Sequence, residues 1–193
     1  HDFDQNGSLD IVLGYYDNGT CYPVRGRQCS SDQMPFIKDK FPTYNAFAQA
    51  STQDIYGSKL NEALNYRATN FASVYVENLG NGKFNVSPLP TQVQLAMVNS
   101  VVSGDFNNDG IYEAILAGNL YGSEVETPRS DGSIGSYLTF DSKKNQWKYQ
   151  SYNECGLSIQ GNTKNMAVIQ SSKGPMIVAG KNNTQPQIVN VVK

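Results

Sequence analysis

The stretch Asp105-Phe106-Asn107-Asn108-Asp109-Gly110-Ile111-Tyr112-Glu113 constrains this chain more than any other. Oxygen-bearing side chains stand at its first, third, fifth and ninth places, and Gly110 stands at the sixth. When alternate residues point inward around a sharp glycine turn, they gather the donor set of a hard cation such as Ca²⁺, which takes roughly six to eight oxygens. Asp105, Asn107, Asp109 and Glu113 are the candidate side-chain ligands, with the backbone carbonyl of Ile111 between them. The chain says this twice. Asp2-Phe3-Asp4-Gln5-Asn6-Gly7-Ser8-Leu9-Asp10 has the same frame, with Asp2, Asp4, Asn6 and Asp10 as side-chain ligands and Ser8 at the carbonyl place. Two Ca²⁺ sites are therefore expected. The bland alternative is an Asx-rich turn holding no ion. Against it, each loop gathers three carboxylates that repel one another unless a cation sits among them.

The residues after each loop separate it from a helix-flanked calcium loop. An EF-hand loop closes with a Glu at its twelfth place and opens into a helix. Here the acid comes at the ninth place, and Ile11-Val12-Leu13 or Ala114-Ile115-Leu116-Ala117 comes next. Short, apolar, partly β-branched runs ended by glycine predict buried strands. Val98 to Ser103 predicts a strand before the second loop, and the first copy has no equivalent. The chain is thus expected to be part of something longer.

A weaker echo, Ile177-Val178-Ala179-Gly180, matches Ile115-Leu116-Ala117-Gly118. Its adjoining loop, Gln170 to Gly174, has no acids and is expected to bind no ion. The spacing implies a repeat of about sixty residues if the segment from Ser30 to Asn70 is an insertion. Of 193 residues 17% are charged and the net charge is -2, so nothing favours nucleic acid or an anionic membrane surface. No apolar run approaches the length of a membrane span.

Strands and hairpins are predicted in order. Asp17-Asn18-Gly19 is a hairpin turn. Cys21 and Cys29 flank a short loop whose closure by a disulfide would contribute about 2.5 kcal/mol; three reduced thiols are the alternative. Ile37, Phe41, Tyr44 and Ala48 form a helical stripe with Ser31 as its N-cap, interrupted at Pro42. The aromatic stripe is a docking face or a ligand surface. Ser51-Thr52-Gln53-Asp54 caps another turn, and Lys59 to Leu64 suits a short helix. Ser73 to Asn78 with Lys83 to Val86, and Tyr137 to Phe140 with Gln146 to Tyr149, are hairpins. Tyr121 to Gly135, with Glu124, Glu126, Arg129 and Asp131, is a long polar loop, either functional or merely connecting. Met166 to Ile169, Met176 to Ala179 and Gln187 to Val192 are three closing strands.

Asp-Phe-Asp-x-Asn-Gly-x-x-Asp-Ile-Val-Leu at 2–13 and Asp-Phe-Asn-x-Asp-Gly-x-x-Glu-Ala-Ile-Leu-Ala-Gly at 105–118 resemble FG-GAP/VCBS-type repeats, the calcium-bearing blades also found in integrin α-subunit heads. Glu77 to Phe84 resembles the hairpin that comes next in such blades. Met34 to Tyr44 and Asp54-Ile55-Tyr56 are similar to an insert of Bacteroidetes VCBS-repeat proteins related to the ASPIC/UnbV (cartilage acidic protein-like) group. The resemblance departs at Glu113, in the ion-less third unit and in the cysteines. It implies an all-β fold with a helical insertion: about three C-terminal blades of a β-propeller that commonly has about seven. Residues 1–29 with 71–92 would form one blade, 30–70 the insertion, 93–155 the second blade and 156–193 the last. It further implies a non-catalytic, calcium-stabilised module, secreted or at an outer-membrane surface, whose partners are the remaining blades and a cell-surface protein, with a glycan as the alternative ligand. A carbohydrate-active propeller enzyme or lectin is the runner-up. His1 is the one histidine, and no nucleophile elbow or phosphate loop occurs.

Overall fold

The computed structural model describes residues 1–193 except Val125, Glu126, Lys173 and Lys193. The chain divides into two units, His1–Thr69 and Asn70–Lys193.

The first unit joins a hairpin to short helices. Strands β1 (Gly14–Asp17) and β2 (Thr20–Pro23) pair antiparallel, with Tyr15 opposite Tyr22. Asn18 and Gly19 both take positive φ, 46° and 84°, the backbone that a two-residue hairpin of this twist demands. Helices α1 (Arg27–Gln33), α2 (Phe36–Lys40), α3 (Tyr44–Ala48) and α4 (Thr52–Tyr56) come next, and a 3₁₀ turn spans Gly57–Asn61. They are short because the sequence keeps stopping them. Pro35 and Pro42 lack the N–H that would continue a helix. Thr43 caps α3 by accepting the Ala46 N–H at 3.2 Å, and Ser51 with Asp54 forms a reciprocal capping box on α4. Their inner faces bury Phe3, Met34, Ile37, Phe47, Ile55 and Tyr56.

Several local expectations change here. Ile11-Val12-Leu13 is not a strand: among the described residues its one backbone bond to the hairpin is from the Val24 N–H to the Leu13 carbonyl, and Ile11 is 73% exposed. A strand needs a ladder partner, and these residues have that single one. Ser31 lies inside α1, with Gly26 at the N-cap. The stripe from Ile37 to Ala48 is cut in two, so Tyr44 stays exposed while Phe47 turns inward. Residues 59–64 form only the end of the 3₁₀ turn. The candidate Cys21–Cys29 bridge is not formed. Both thiols are free, as is Cys155; Cys29 is exposed on α1, while the Cys21 sulfur packs over Gly14.

The second unit is mainly β. Strands β3 (Val74–Gly80) and β4 (Lys83–Pro88) form a two-stranded sheet. A four-stranded antiparallel sheet contains β5 (Val98–Gly104), β6 (Glu113–Gly118), β7 (Ser136–Asp141) and β8 (Gln146–Gln150) in sequence order. After the single turn α5 (Tyr152–Cys155), strands β9 (Thr163–Ser171), β10 (Gly174–Lys181) and β11 (Gln187–Asn190) make a three-stranded sheet with β10 central. No sheet closes on itself among the described residues. The fold is thus mainly β with a helical segment. No described helix is long and apolar enough to cross a membrane.

All of β6 is buried, and its period-two alternation feeds two cores. Ile115 and Ala117 face a cluster with Val102, Met166, Ile177 and Ala179, which joins the four-stranded sheet to the three-stranded one. Ala114 and Leu116 face the opposite cluster with Val93 and Leu138. On that side Tyr75 of β3 packs against Phe140 and Trp147, with ring centroids 6.3 and 5.6 Å away. The Ile115–Gly118 and Ile177–Gly180 echo falls on β6 and β10, each running beside a bulged partner strand. Asn119, left-handed at φ 79°, stitches the sheets: its amide donates to the Ser133 and Gly161 carbonyls and accepts from the Ser133 N–H. The Asn99 amide bridges the Asn119 and Thr163 carbonyls.

At the bulge Gly118 passes so close to β5 that an added Cβ would lie 1.7 Å from the Met97 carbonyl oxygen. Backbone cannot yield there as a flexible side chain would. Gly118→Ala is expected to destabilise the second unit by more than about 3 kcal/mol, measured as a lowered urea midpoint at unchanged m-value.

Candidate metal centre

Both acidic loops fold into the same hydrogen-bonded frame. The first acid closes the turn: the Asp2 carboxylate accepts the N–H groups of Asn6 and Gly7 at 3.1 and 2.9 Å, and Asp105 accepts those of Asp109 and Gly110 at 3.0 and 3.1 Å. The third and fifth side chains each accept the N–H two residues on. In the first loop Asp4 takes that of Asn6 and Asn6 that of Ser8; in the second Asn107 takes that of Asp109 and Asp109 that of Ile111. The fourth residue is left-handed in both, Gln5 at φ 63° and Asn108 at 61°, and so is the glycine, at 89° and 83°. Glycine meets that demand without a Cβ penalty.

The ninth acid ties the loop shut from below. Asp10 accepts the Phe3 N–H at 2.8 Å, and Glu113 accepts that of Phe106 at the same distance and that of Asn107 at 3.2 Å. Both acids are buried, at 8% and 1% exposure, beside the buried phenylalanine whose amide they hold. Phe3 plugs the helical core and Phe106 the inter-sheet core. In this way a core residue and an acid are locked to each other.

One difference between the copies preserves the chemistry. The third and fifth places are Asp4 and Asn6 in one loop and Asn107 and Asp109 in the other. Each amide donates to its neighbouring acid, Asn6 to Asp4 at 3.0 Å and Asn107 to Asp109 at 3.1 Å. The exchange keeps one acid and one amide in place. Asp2, Asp4 and Asp10 bring carboxylate oxygens within 4.8 Å of one another, and so do Asp105, Asp109 and Glu113. The ion pairs found among the described residues, Lys38–Asp32 and Lys148–Asp141, involve none of these acids. Each cluster is therefore a concentration of negative charge able to hold a metal ion.

Groups in and beside the loops respond to these contacts. The Gly7 N–H, the largest influence on Asp2, helps hold its carboxyl below the usual carboxylate range. Burial first, then the nearby Glu113 carboxylate, push the Tyr137 phenol well up. Tyr56 is pushed up to about 12, by burial and then by Asp10. Gln33 of α1 reaches the second Asp10 oxygen at 3.1 Å, and Lys59 donates to the Phe3 carbonyl at 2.6 Å. Spacing points to none of Tyr56, Tyr137, Gln33 and Lys59, because each comes from a distant segment; only the aromatic at the second place of each loop hints at a core plug.

Ser8 and Ile111, at the carbonyl places, donate their N–H groups to Asn6 and Asp109 within their own loops. In the long connection Tyr121 to Gly135, the Leu120 and Ser130 backbones bond to each other, and Arg129 lies over the Tyr121 ring at 5.0 Å; Glu126 lies outside the described residues. No protein-family model, curated protein or solved structure matches the chain.

Glu113→Ala leaves two loop N–H groups without their acceptor and is expected to cost about 2–4 kcal/mol, read from thermal or urea unfolding in chelating buffer. A raised phenol favours the folded state with its proton on. For Tyr56 that contribution is complete below pH 10 and is lost as pH rises toward about 12. Tyr56→Phe should flatten the fall of stability across that interval in a pH series of melts.

Proposed function

We propose that this chain is a non-catalytic, calcium-stabilised binding or scaffold module, the arc of a β-propeller displayed outside the cytoplasm. The observation that carries the reading is the twin frame: two loops far apart in sequence converge on the same hydrogen bonds and the same trio of carboxylates. Side-chain oxygens of Asp105, Asn107, Asp109 and Glu113, with the Ile111 carbonyl, would hold one Ca²⁺. Those of Asp2, Asp4, Asn6 and Asp10, with the Ser8 carbonyl, would hold the other. Carboxylate and amide oxygens suit a hard cation and no soft one. The ion supplies charge neutralisation, while the protein's own N–H groups shape the loop.

Support for the propeller comes from the second unit, where successive antiparallel sheets pack face to face through β6 and the FG-GAP/VCBS-like signature opens that strand. In such an architecture the ring is completed by further blades of the same or another chain, which covers sheet faces and edges. The acids singled out by sequence are engaged in loop closure, which favours a binding role over acid–base chemistry. A protein at the cell surface is the proposed partner. Extracellular calcium modules work at dissociation constants on the order of 10⁻⁴ to 10⁻³ M, a concentration met outside the cell.

Asp105→Ala with Asp109→Ala tests the reading. In calcium buffer the wild-type melting temperature is expected to rise above its value in chelator, and the double variant is expected to lose at least half of that rise. A wild-type melting curve indifferent to calcium would sink the proposal.

A further inference from the structure

We propose that the cleft beside the first loop binds a small organic carboxylate. It is an open cleft of about 540 Å³ within the first unit, inside the range of roughly 300–1,000 Å³ of small-molecule sites. Its base is apolar and aromatic: Phe3, Ile55 and Tyr56 are buried, and half-buried Phe36 forms a wall. Lys40 and Lys59 line the same cleft. Two cations beside one aromatic floor call for an anion carried on a compact ring or apolar body.

The lysines are already held in place. Lys40 donates to the Ile55 carbonyl at 2.9 Å and Lys59 to the Phe3 carbonyl at 2.6 Å. An ammonium has three donors, so each keeps protons for a ligand after making that bond. Neither is ion-paired among the described residues, and the Lys40 charge is the smallest of the influences on the nearby Asp54. Fixing a flexible side chain beforehand lowers the entropy a ligand must remove. Asp4 of the acidic loop also lines the cleft. In this one respect the proposal rests on the calcium reading, because an anion enters most readily once that loop is neutralised.

The test uses the whole chain and isothermal titration calorimetry. Ca²⁺ is titrated alone first, and then, in saturating Ca²⁺, D-glucuronate and phenylacetate are each compared with their neutral counterparts, D-glucose and phenylacetamide. At least one acid is expected to bind, about tenfold or more tightly than its neutral counterpart, as a charge-assisted pair requires; which acid binds tells a sugar acid from an aromatic one. Lys40→Gln with Lys59→Gln, titrated in saturating Ca²⁺, should bring that acid down to the neutral level. Because both lysines also hold backbone carbonyls, Phe36→Ala serves as a second variant: it removes the wall, keeps both charges and should weaken the acid several-fold. Binding of neither acid, equal binding of acid and neutral probe, or full affinity in a folded double-lysine variant overturns the proposal. A flat Ca²⁺ titration overturns the calcium reading by itself, and the acid titrations then still decide this one.

Discussion

A carboxylate that reaches back seven residues to a phenylalanine N–H is the bond on which each loop depends. Phe106 N to Glu113 in the second unit, and Phe3 N to Asp10 in the first, are each 2.8 Å long and buried. An acid at 1% exposure is costly unless its oxygens are engaged. Glu113 meets that demand with two backbone donors, the N–H groups of Phe106 and Asn107. The same bond fixes where Phe106 enters the core and where β6 begins, so loop closure, core packing and strand register share one constraint.

From there the second unit builds outward. β6 starts at the tethered acid and runs wholly buried, with alternate residues supplying the two clusters on its faces. Apolar packing does most of the joining between sheets, and the asparagines do the positioning. Asn119 spends every polar atom of its side chain on neighbouring backbone, an arrangement that specifies one registration of the sheets because any slip leaves buried donors unmet. The glycine beside it admits the close approach of β5 that this registration needs.

Local chemistry makes much of this legible in the sequence. Asn18-Gly19, Asn81-Gly82 and the glycines at the sixth loop places encode positive φ, and all adopt it. The apolar run 114–117 reads as a buried strand, and both its faces are covered. Ser51 and Asp54 sit at capping-box spacing and form the box. Sequence pattern misleads where a residue's fate depends on a distant partner. Ile11-Val12-Leu13 has strand composition and almost no ladder to join. Ser31 has cap chemistry, yet Gly26 starts the helix earlier, and Ser31 bonds instead to the Gln28 carbonyl. The acids of the candidate site are visible from spacing alone, whereas Tyr56, Tyr137 and Gln33 converge on them only through the tertiary fold.

The two copies stand in unlike surroundings, and that contrast separates what the motif encodes from what its context adds. In the second unit the ninth acid opens a central strand; in the first it precedes irregular chain and is met by a glutamine from a helix. The tyrosines that feel the two acids come from a helix in one case and a strand in the other. Even so, the turn closures, the side-chain-to-backbone bonds two residues on, the left-handed places and the acid-to-phenylalanine tether recur in both. Sheet packing cannot be their common cause, since one loop has none beside it. The frame is written within the nine residues, and convergence of three carboxylates comes with it. A trio of carboxylates able to hold a metal ion therefore belongs to the motif itself, wherever the chain places it.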